Sequence, residues 1–234
     1  MLPNLSRRFY SEAHPEQMDL PDLDPLDLAQ DLQNLEIINR HFGGKKATRF
    51  ILHQVSKQAT DLHSVLDCAC GAGDLTTQLA LALPQAKITG IDLHPQTLAY
   101  AQANHSACNL EWQQADMKQL PFPDNSYDLV TCQLALHHFS QTDAVAILKE
   151  LQRVSKKWVI VTDITRSYLS YLGIWLLVTC WLRHPMTQHD ALLSIRRAFN
   201  EAEFSNLAQE ASWAHFHHCR LSWFRQALVL NKLG

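Results

Sequence analysis

The stretch Ser64-Val65-Leu66-Asp67-Cys68-Ala69-Cys70-Gly71-Ala72-Gly73-Asp74-Leu75 constrains this chain more than any other. An apolar pair, Val65 and Leu66, runs into an acid, Asp67. Small residues and two glycines follow, and a helical pattern begins at Leu75. This reads as a buried strand ending in a tight turn whose backbone lies against a ligand. Gly71 and Gly73 have no Cβ, so they can take positive φ and let a bound molecule come close. The next helix aims its N-terminus at the same spot.

A Gly-x-Gly turn serves several ligand classes, and its neighbours discriminate among them. The dinucleotide fingerprint needs a third glycine three residues after the second. This chain has Thr76 there. A phosphate-binding P-loop needs Gly-Lys-Ser/Thr, and none follows.

Around this turn, strand and helix alternate. Strands are predicted at 65–66, Lys87–Asp92, Leu110–Asp116, Tyr127–Cys132 and Trp158–Asp163. Helices are predicted over 74–82, 95–107 and 141–153. Such alternation predicts an α/β fold, a doubly wound and mostly parallel sheet. Before it, residues 1–26 form an arm rich in Pro and Asp. Asp24-Pro25 opens a helix with Leu28, Leu32, Leu35, Ile38 and Phe42 at helical spacing, broken by Gly43-Gly44. A second amphipathic helix ends near Asp61. We divide the chain into an arm with lid helices over 1–62 and a core over 63–234, with a helical insertion over 166–199. Asn200-Glu201-Ala202-Glu203 resembles a capping box opening a helix to about Ala211. An antiparallel pair over 213–219 and 223–230 closes the chain.

A length of 234 residues suits one α/β domain with additions, and 47% hydrophobic residues supply a core. The net charge of -3 argues against a nucleic-acid partner. Of the six cysteines, two lie in the glycine turn and one in an apolar run, so buried free thiols are expected. The first residues lack an apolar signal core, so a cytoplasmic location is expected.

Two acids at successive strand ends sharpen the ligand. Asp92, beside Leu93, can accept both ribose hydroxyls of an adenosine, or can cap the next helix. Asp116 can accept from an adenine amino group, with Met117 packing beside it, or can be a turn aspartate. The run from Asp116 through Leu120-Pro121-Phe122 to Ser126-Tyr127-Asp128-Leu129-Val130 adds a third motif. Together these motifs resemble class I S-adenosylmethionine-dependent methyltransferases over about residues 60–165, in particular bacterial small-molecule methyltransferases. Ala69 replaces a glycine usual in that family. The resemblance implies a Rossmann-like seven-stranded sheet with a final antiparallel strand. It implies S-adenosylmethionine as cofactor, S-adenosylhomocysteine as product, and Asp67, Ala69, Gly71, Gly73, Asp92, Leu93, Asp116, Met117 and Gln133 as cofactor-binding residues.

Next to Gln133 lies His137-His138. Either imidazole can take a proton from a hydroxyl near neutrality, or can simply pack the loop. His138 is the first choice as base and His137 the second. An aromatic or polyketide-like hydroxyl is the expected acceptor, with C- or N-methylation of a small molecule or lipid-quinone precursor as the alternative. A non-catalytic cofactor-binding protein is the rival of another class. The uncharged run 167–182 is expected to bury against an apolar acceptor, with Tyr168, Leu172 and Trp175 as its wall and Arg196 as a polar contact. Docking at a membrane surface through 167–182 is the open alternative for that run. No metal is expected: His215, His217 and Cys219 share one strand face, but no second ligand group has zinc spacing.

Overall fold

The computed structural model describes residues 3–20 and 24–233, so the part of the arm around Pro21 and Asp22 lies outside the described residues. Seven strands form one sheet in the order β3-β2-β1-β4-β5-β7-β6. They are β1 (Ser64–Cys68), β2 (Lys87–Asp92), β3 (Leu110–Gln114), β4 (Tyr127–Gln133), β5 (Ser155–Ile164), β6 (Phe216–Arg220) and β7 (Arg225–Asn231). Strand β7 pairs antiparallel with both β5 and β6, and every other pairing is parallel. The expected doubly wound sheet with an antiparallel strand near its end is therefore present.

Alternation along β1 assigns its side chains to two cores. Leu66 and Cys68 face one side, packed with β4, with α5 (Gln141–Val154) and with α8 (Glu201–Glu210). Val65 faces the other, packed with α2 (Gly44–Lys57) and α3 (Asp74–Ala82). These central strands are buried on both faces, which explains their near-continuous apolar sequence. The Asn200 side chain accepts from the Glu203 amide while the Glu203 carboxylate accepts from the Asn200 amide, so the capping box is complete. The last two strands start two to three residues later than their hydrophobic pattern predicts. Trp213 is buried and its indole donates to the Leu148 carbonyl, which pins 213 as a plug ahead of the strand.

A third apolar cluster lies at the carboxyl edge of the sheet, between α1 (Pro25–His41), α6 (Tyr168–Leu177) and α7 (Pro185–Arg197). Asp24 caps α1 by accepting from the Leu26 amide, as the Asp-Pro pair predicts. The run 167–182 corrects one expectation. It forms α6 and a π-helical turn, Val178–Leu182, but only Ser170, Ile174 and Val178 are buried. Tyr168, Leu172 and Trp175, expected as a pocket wall, are exposed. A helix apolar on every side gives the sequence no period from which to choose the inward face. Here Gly173 chooses it, because its backbone sits against the rings of Phe42 and Phe224. Among the described residues, no helix is long and apolar enough to cross a membrane.

Arg166, buried just after β5, gathers distant segments. Its guanidinium donates to the carbonyls of Leu5 and Ala198 and to both Glu203 carboxylate oxygens. Replacing it with methionine takes a donor from all of these acceptors and leaves Glu203 Oε2 with the Asn200 amide alone. Arg166→Met is expected to lower stability by roughly 2–5 kcal/mol, read as a fall in the urea midpoint; an unchanged midpoint refutes the clasp.

Candidate functional site

The sheet order reverses between β2-β1 and β1-β4, and open α/β sheets bind ligands outside the carboxyl ends of strands at such a switch. The glycine turn lies there. Ala69, Gly71 and Gly73 all have positive φ, at 54°, 55° and 91°. A Cβ on Gly73 would strike Trp112 at 2.5 Å, so only glycine fits. A Cβ on Gly71 would meet no atom within 4 Å, so the bare backbone of Gly71 borders open space. Ala69 holds the left-handed conformation at a cost of about 1–2 kcal/mol.

Asp67 explains how the turn is held. It is 1% exposed at the end of β1. Its two carboxylate oxygens accept from the Thr76 hydroxyl at 2.6 Å and the Thr131 hydroxyl at 2.8 Å. Burial pushes the carboxyl up to about 6, although both hydroxyls pull the other way. Thr76, which takes the place of a dinucleotide-type glycine, thus anchors α3 to β1. Asp92 accepts from the Gly71 amide and the His94 amide, each at 3.0 Å, so it braces the turn and also starts α4 (Pro95–Asn104). Lone pairs remain on both of its oxygens. Asp116 accepts from the Lys118 amide, Met117 is buried in the main core, and Leu93 is half exposed.

A cavity of about 800 Å³ opens beside the turn, lined by Asp67, Ala69, Gly71, Gln133, His137 and His138 among others. The structure therefore brings the glycine turn and both histidines to one space. Gly73, Asp92, Leu93, Asp116 and Met117 are outside its lining, as are Tyr168, Leu172, Trp175 and Arg196. Arg196 instead lies over the Phe9 ring. Leu134, at φ 59°, turns the chain from β4 into the histidines.

The two histidines differ in their surroundings. His137 is 4% exposed, and its Nδ1 lies 2.7 Å from Asp163 Oδ1. The other Asp163 oxygen accepts from the His137 amide at 3.0 Å. Burial alone would raise the Asp163 carboxyl; the charge and hydrogen bond of His137 outweigh it and hold it below its usual value. His138 stacks 4.3 Å away, ring centre to ring centre, and its Nε2 is 3.8 Å from Glu16.

Glu16 is a cavity residue that the sequence did not reveal. It is 2% exposed, and it arrives from the arm. Two carboxylate bonds hold the arm next to it, because Asp190 accepts from the amides of Gln17 and Met18. Arg8 clamps the same arm by donating to the carbonyls of His137, Phe139 and Arg197. No local signal distinguishes Glu16 from the arm's other acids, since irregular chain has no period. Glu16, His137 and His138 offer ligand atoms within 4.8 Å of one another, the spacing of a cation site. Arg197 Nη1 stands 3.7 Å from Glu16 Oε1 and already supplies a positive charge to that carboxylate.

Residues 65–157 match the model of a methyltransferase domain. That match takes in less than half of the chain. The chain is 35% identical over 92 residues to the ubiquinone/menaquinone biosynthesis C-methyltransferase UbiE of Desulfotalea psychrophila, covering 39% of this chain and 37% of that one. It is 32% identical over 133 residues to a demethylmenaquinone methyltransferase of Geobacillus stearothermophilus, covering 55% and 56%. The chain thus spans little more than a third of the first of these relatives and about half of the second. In fold it is similar to the plantazolicin methyltransferase BpumL, solved with a monoazolic desmethylPZN analogue and SAH, at TM-score 0.68, 16% identity, and 88% and 90% coverage. It is also similar to human N-acetylserotonin methyltransferase solved with SAM, at TM-score 0.62, 16% identity, and 86% and 55% coverage.

The hydroxyl bonds to Asp67 fix a pH dependence. Its carboxyl is raised in the fold, so folding takes up a proton between its ordinary value of 3.8 and about 6. Stability from this group therefore falls as pH rises through that window and is flat above it. Removing a hydroxyl hurts the ionised form most. Thr76→Val is expected to cost about 1–3 kcal/mol well above pH 6 and less than half of that near pH 4, measured by urea unfolding at both values; equal losses refute the role.

Proposed function

We propose that this chain transfers a methyl group from S-adenosylmethionine to an aromatic hydroxyl of a small, largely apolar acceptor. The observation that carries the reading is the His137–Asp163 pair, placed in the same cavity as the glycine turn. Two features support a cofactor there: Gly71 presents bare backbone to open space at the cavity, and Asp92, outside the lining but bonded to the Gly71 amide, keeps unused lone pairs. Asp67, Ala69, Gly71, Gly73 and Gln133 would hold its methionine half. Asp92 with Leu93, and Asp116 with Met117, would hold the ribose and adenine. Bound there, S-adenosylmethionine supplies a sulfonium methyl group already activated for in-line displacement.

The chain's own groups then have two tasks. The first is alignment, for which positioning supplies roughly 7–11 kcal/mol. The second is removal of the acceptor proton. A donated Nδ1–H to Asp163 leaves Nε2 as the acceptor on a ring that lines the cavity. That nitrogen takes the hydroxyl proton, and the Asp163 carboxylate stabilises the imidazolium that results. This geometry favours His137 over His138 as the base, the reverse of the order drawn from position alone. His138, beside Glu16, packs against the His137 ring and positions it.

A second reading uses the same base. An aromatic hydroxyl that loses its proton becomes nucleophilic at ring carbon as well as at oxygen. Attack through carbon, with later loss of the ring proton, gives C-methylation. The name of one relative, a ubiquinone/menaquinone biosynthesis C-methyltransferase, favours that outcome.

Calorimetry on the purified chain is expected to show binding of S-adenosylmethionine or S-adenosylhomocysteine, and no binding at millimolar ligand sinks both readings. His137→Ala is expected to lower kcat by ~10²–10⁴-fold while leaving cofactor affinity within about twofold; His138→Ala is expected to cost less. Equal turnover of His137→Ala and wild type under chemistry-limited conditions rejects the base. Proton and carbon NMR of the product made with carbon-13 methyl donor separates an O-methyl from a C-methyl group. Cofactor binding with no labelled product from phenolic or quinol acceptors supports a non-catalytic binding protein instead.

A further inference from the structure

The outward face of α6 and the π-helical turn after it is the largest feature that the methyl-transfer reading leaves unused. Tyr168, Leu169, Leu172, Trp175, Leu176, Thr179 and Cys180 recur every three or four residues on one exposed stripe. Trp181 extends it and is 78% exposed. Trp223, 63% exposed, stands next to the stripe, because its carbonyl accepts from the Ser170 hydroxyl on α6. Water-facing positions are normally polar; here they are the most apolar of the helix, and clustered exposed apolar groups mark an interaction surface.

Charge and shape select the partner. Between Asp163 and Asp190 the chain has no acidic residue, and the exposed charge at the end of the stripe is Arg183. Arg220 lies 5.3 Å over the Trp223 ring, with Glu201 paired to it at 3.3 Å. Tryptophan and tyrosine beside arginine is the composition of the boundary between lipid headgroups and acyl chains. The surface is a single convex helix. Its few polar groups are the Tyr168 hydroxyl, which accepts from the Leu5 amide, Thr179, the Cys180 thiol and the indole N–H groups of Trp175 and Trp181. A protein partner requires about one hydrogen bond per 100–200 Å² and a polar rim, which this stripe does not offer.

We propose that the 168–182 stripe, with Trp223 and Arg183, docks the protein peripherally on an anionic lipid bilayer. The stripe is the outer side of a cavity wall. On the same helix Ile174 lines the cavity, and Gly173 packs on Phe42 and Phe224, which line it too. Docking therefore seats the cavity beside the acyl boundary, where an apolar acceptor dissolves. The inference goes beyond the methyl-transfer reading and is independent of which atom is methylated.

The test is sedimentation of the full chain with vesicles of phosphatidylcholine and phosphatidylglycerol in equal parts, and of phosphatidylcholine alone. Wild type is expected to partition into the anionic vesicles at least about tenfold more than the triple variant Leu172→Gln, Trp175→Gln, Trp181→Gln. Arg183→Gln, and added salt, are expected to lower binding severalfold on anionic vesicles. All four positions are exposed or at a helix end, and urea unfolding with cofactor calorimetry checks that the variants stay folded. Wild type remaining in the supernatant with both vesicles overturns the proposal, as does equal binding by the triple variant. A concentration-dependent dimer that the triple variant abolishes, without vesicle binding, assigns the face to a second copy and also overturns it. Cofactor binding without vesicle binding defeats docking alone; vesicle binding without cofactor binding defeats the methyl-transfer reading alone.

Discussion

A carboxylate cannot stay buried at a strand end without donors, and that requirement organises the working edge of this sheet. Asp67 closes β1 and takes hydroxyls from α3 and β4. Asp92 closes β2 and takes amides from the glycine turn and from the start of α4. Asp163, on β5, takes the His137 amide and ring and the Ile164 amide. Each acid converts a strand end into a fixed point from which a loop departs. Loops so fastened hold positive φ at Ala69, Gly71 and Leu134 because neighbouring bonds over-determine them.

The matched domain ends at residue 157, yet much of what closes the cavity comes from elsewhere. Glu16 arrives with the arm, His137's partner Asp163 lies beyond the match, and Ile174 and Asp190 belong to the helices that follow β5. The arm is held by charged groups in dry surroundings. Arg8 lies over the Phe199 ring, and burial pushes its guanidinium down to about 10. The matched part of the chain thus supplies the turn and the histidines, and the segments outside the match shape the space in front of them.

How much the sequence could reveal followed from how local each signal was. The helix 74–82 and the strand 87–92 were legible to the residue, since a glycine turn and an acid bound them. Asn200 and Glu203 announced their own cap. The inward face of 167–182 was not legible, because hydrophobicity without period leaves orientation to tertiary contacts such as those of Gly173. Glu16 was hidden for the opposite reason: its burial depends on Asp190, 174 positions away, holding the backbone just after it. The order of the two histidines could not come from position either, since it rests on the bond that joins His137 to Asp163, 26 positions away.

Arg166 carries a consequence for cooperativity. One guanidinium joins the carbonyl of Leu5 in the arm, the carbonyl of Ala198 after α7, and a carboxylate on α8. Segments that share a single buried ion have no separate stability, because loosening any one leaves the charge under-solvated for all. The arm, the helices after β5 and the edge of the core are thereby tied to one guanidinium, so that opening any of them takes partners from a charge that the others help to bury.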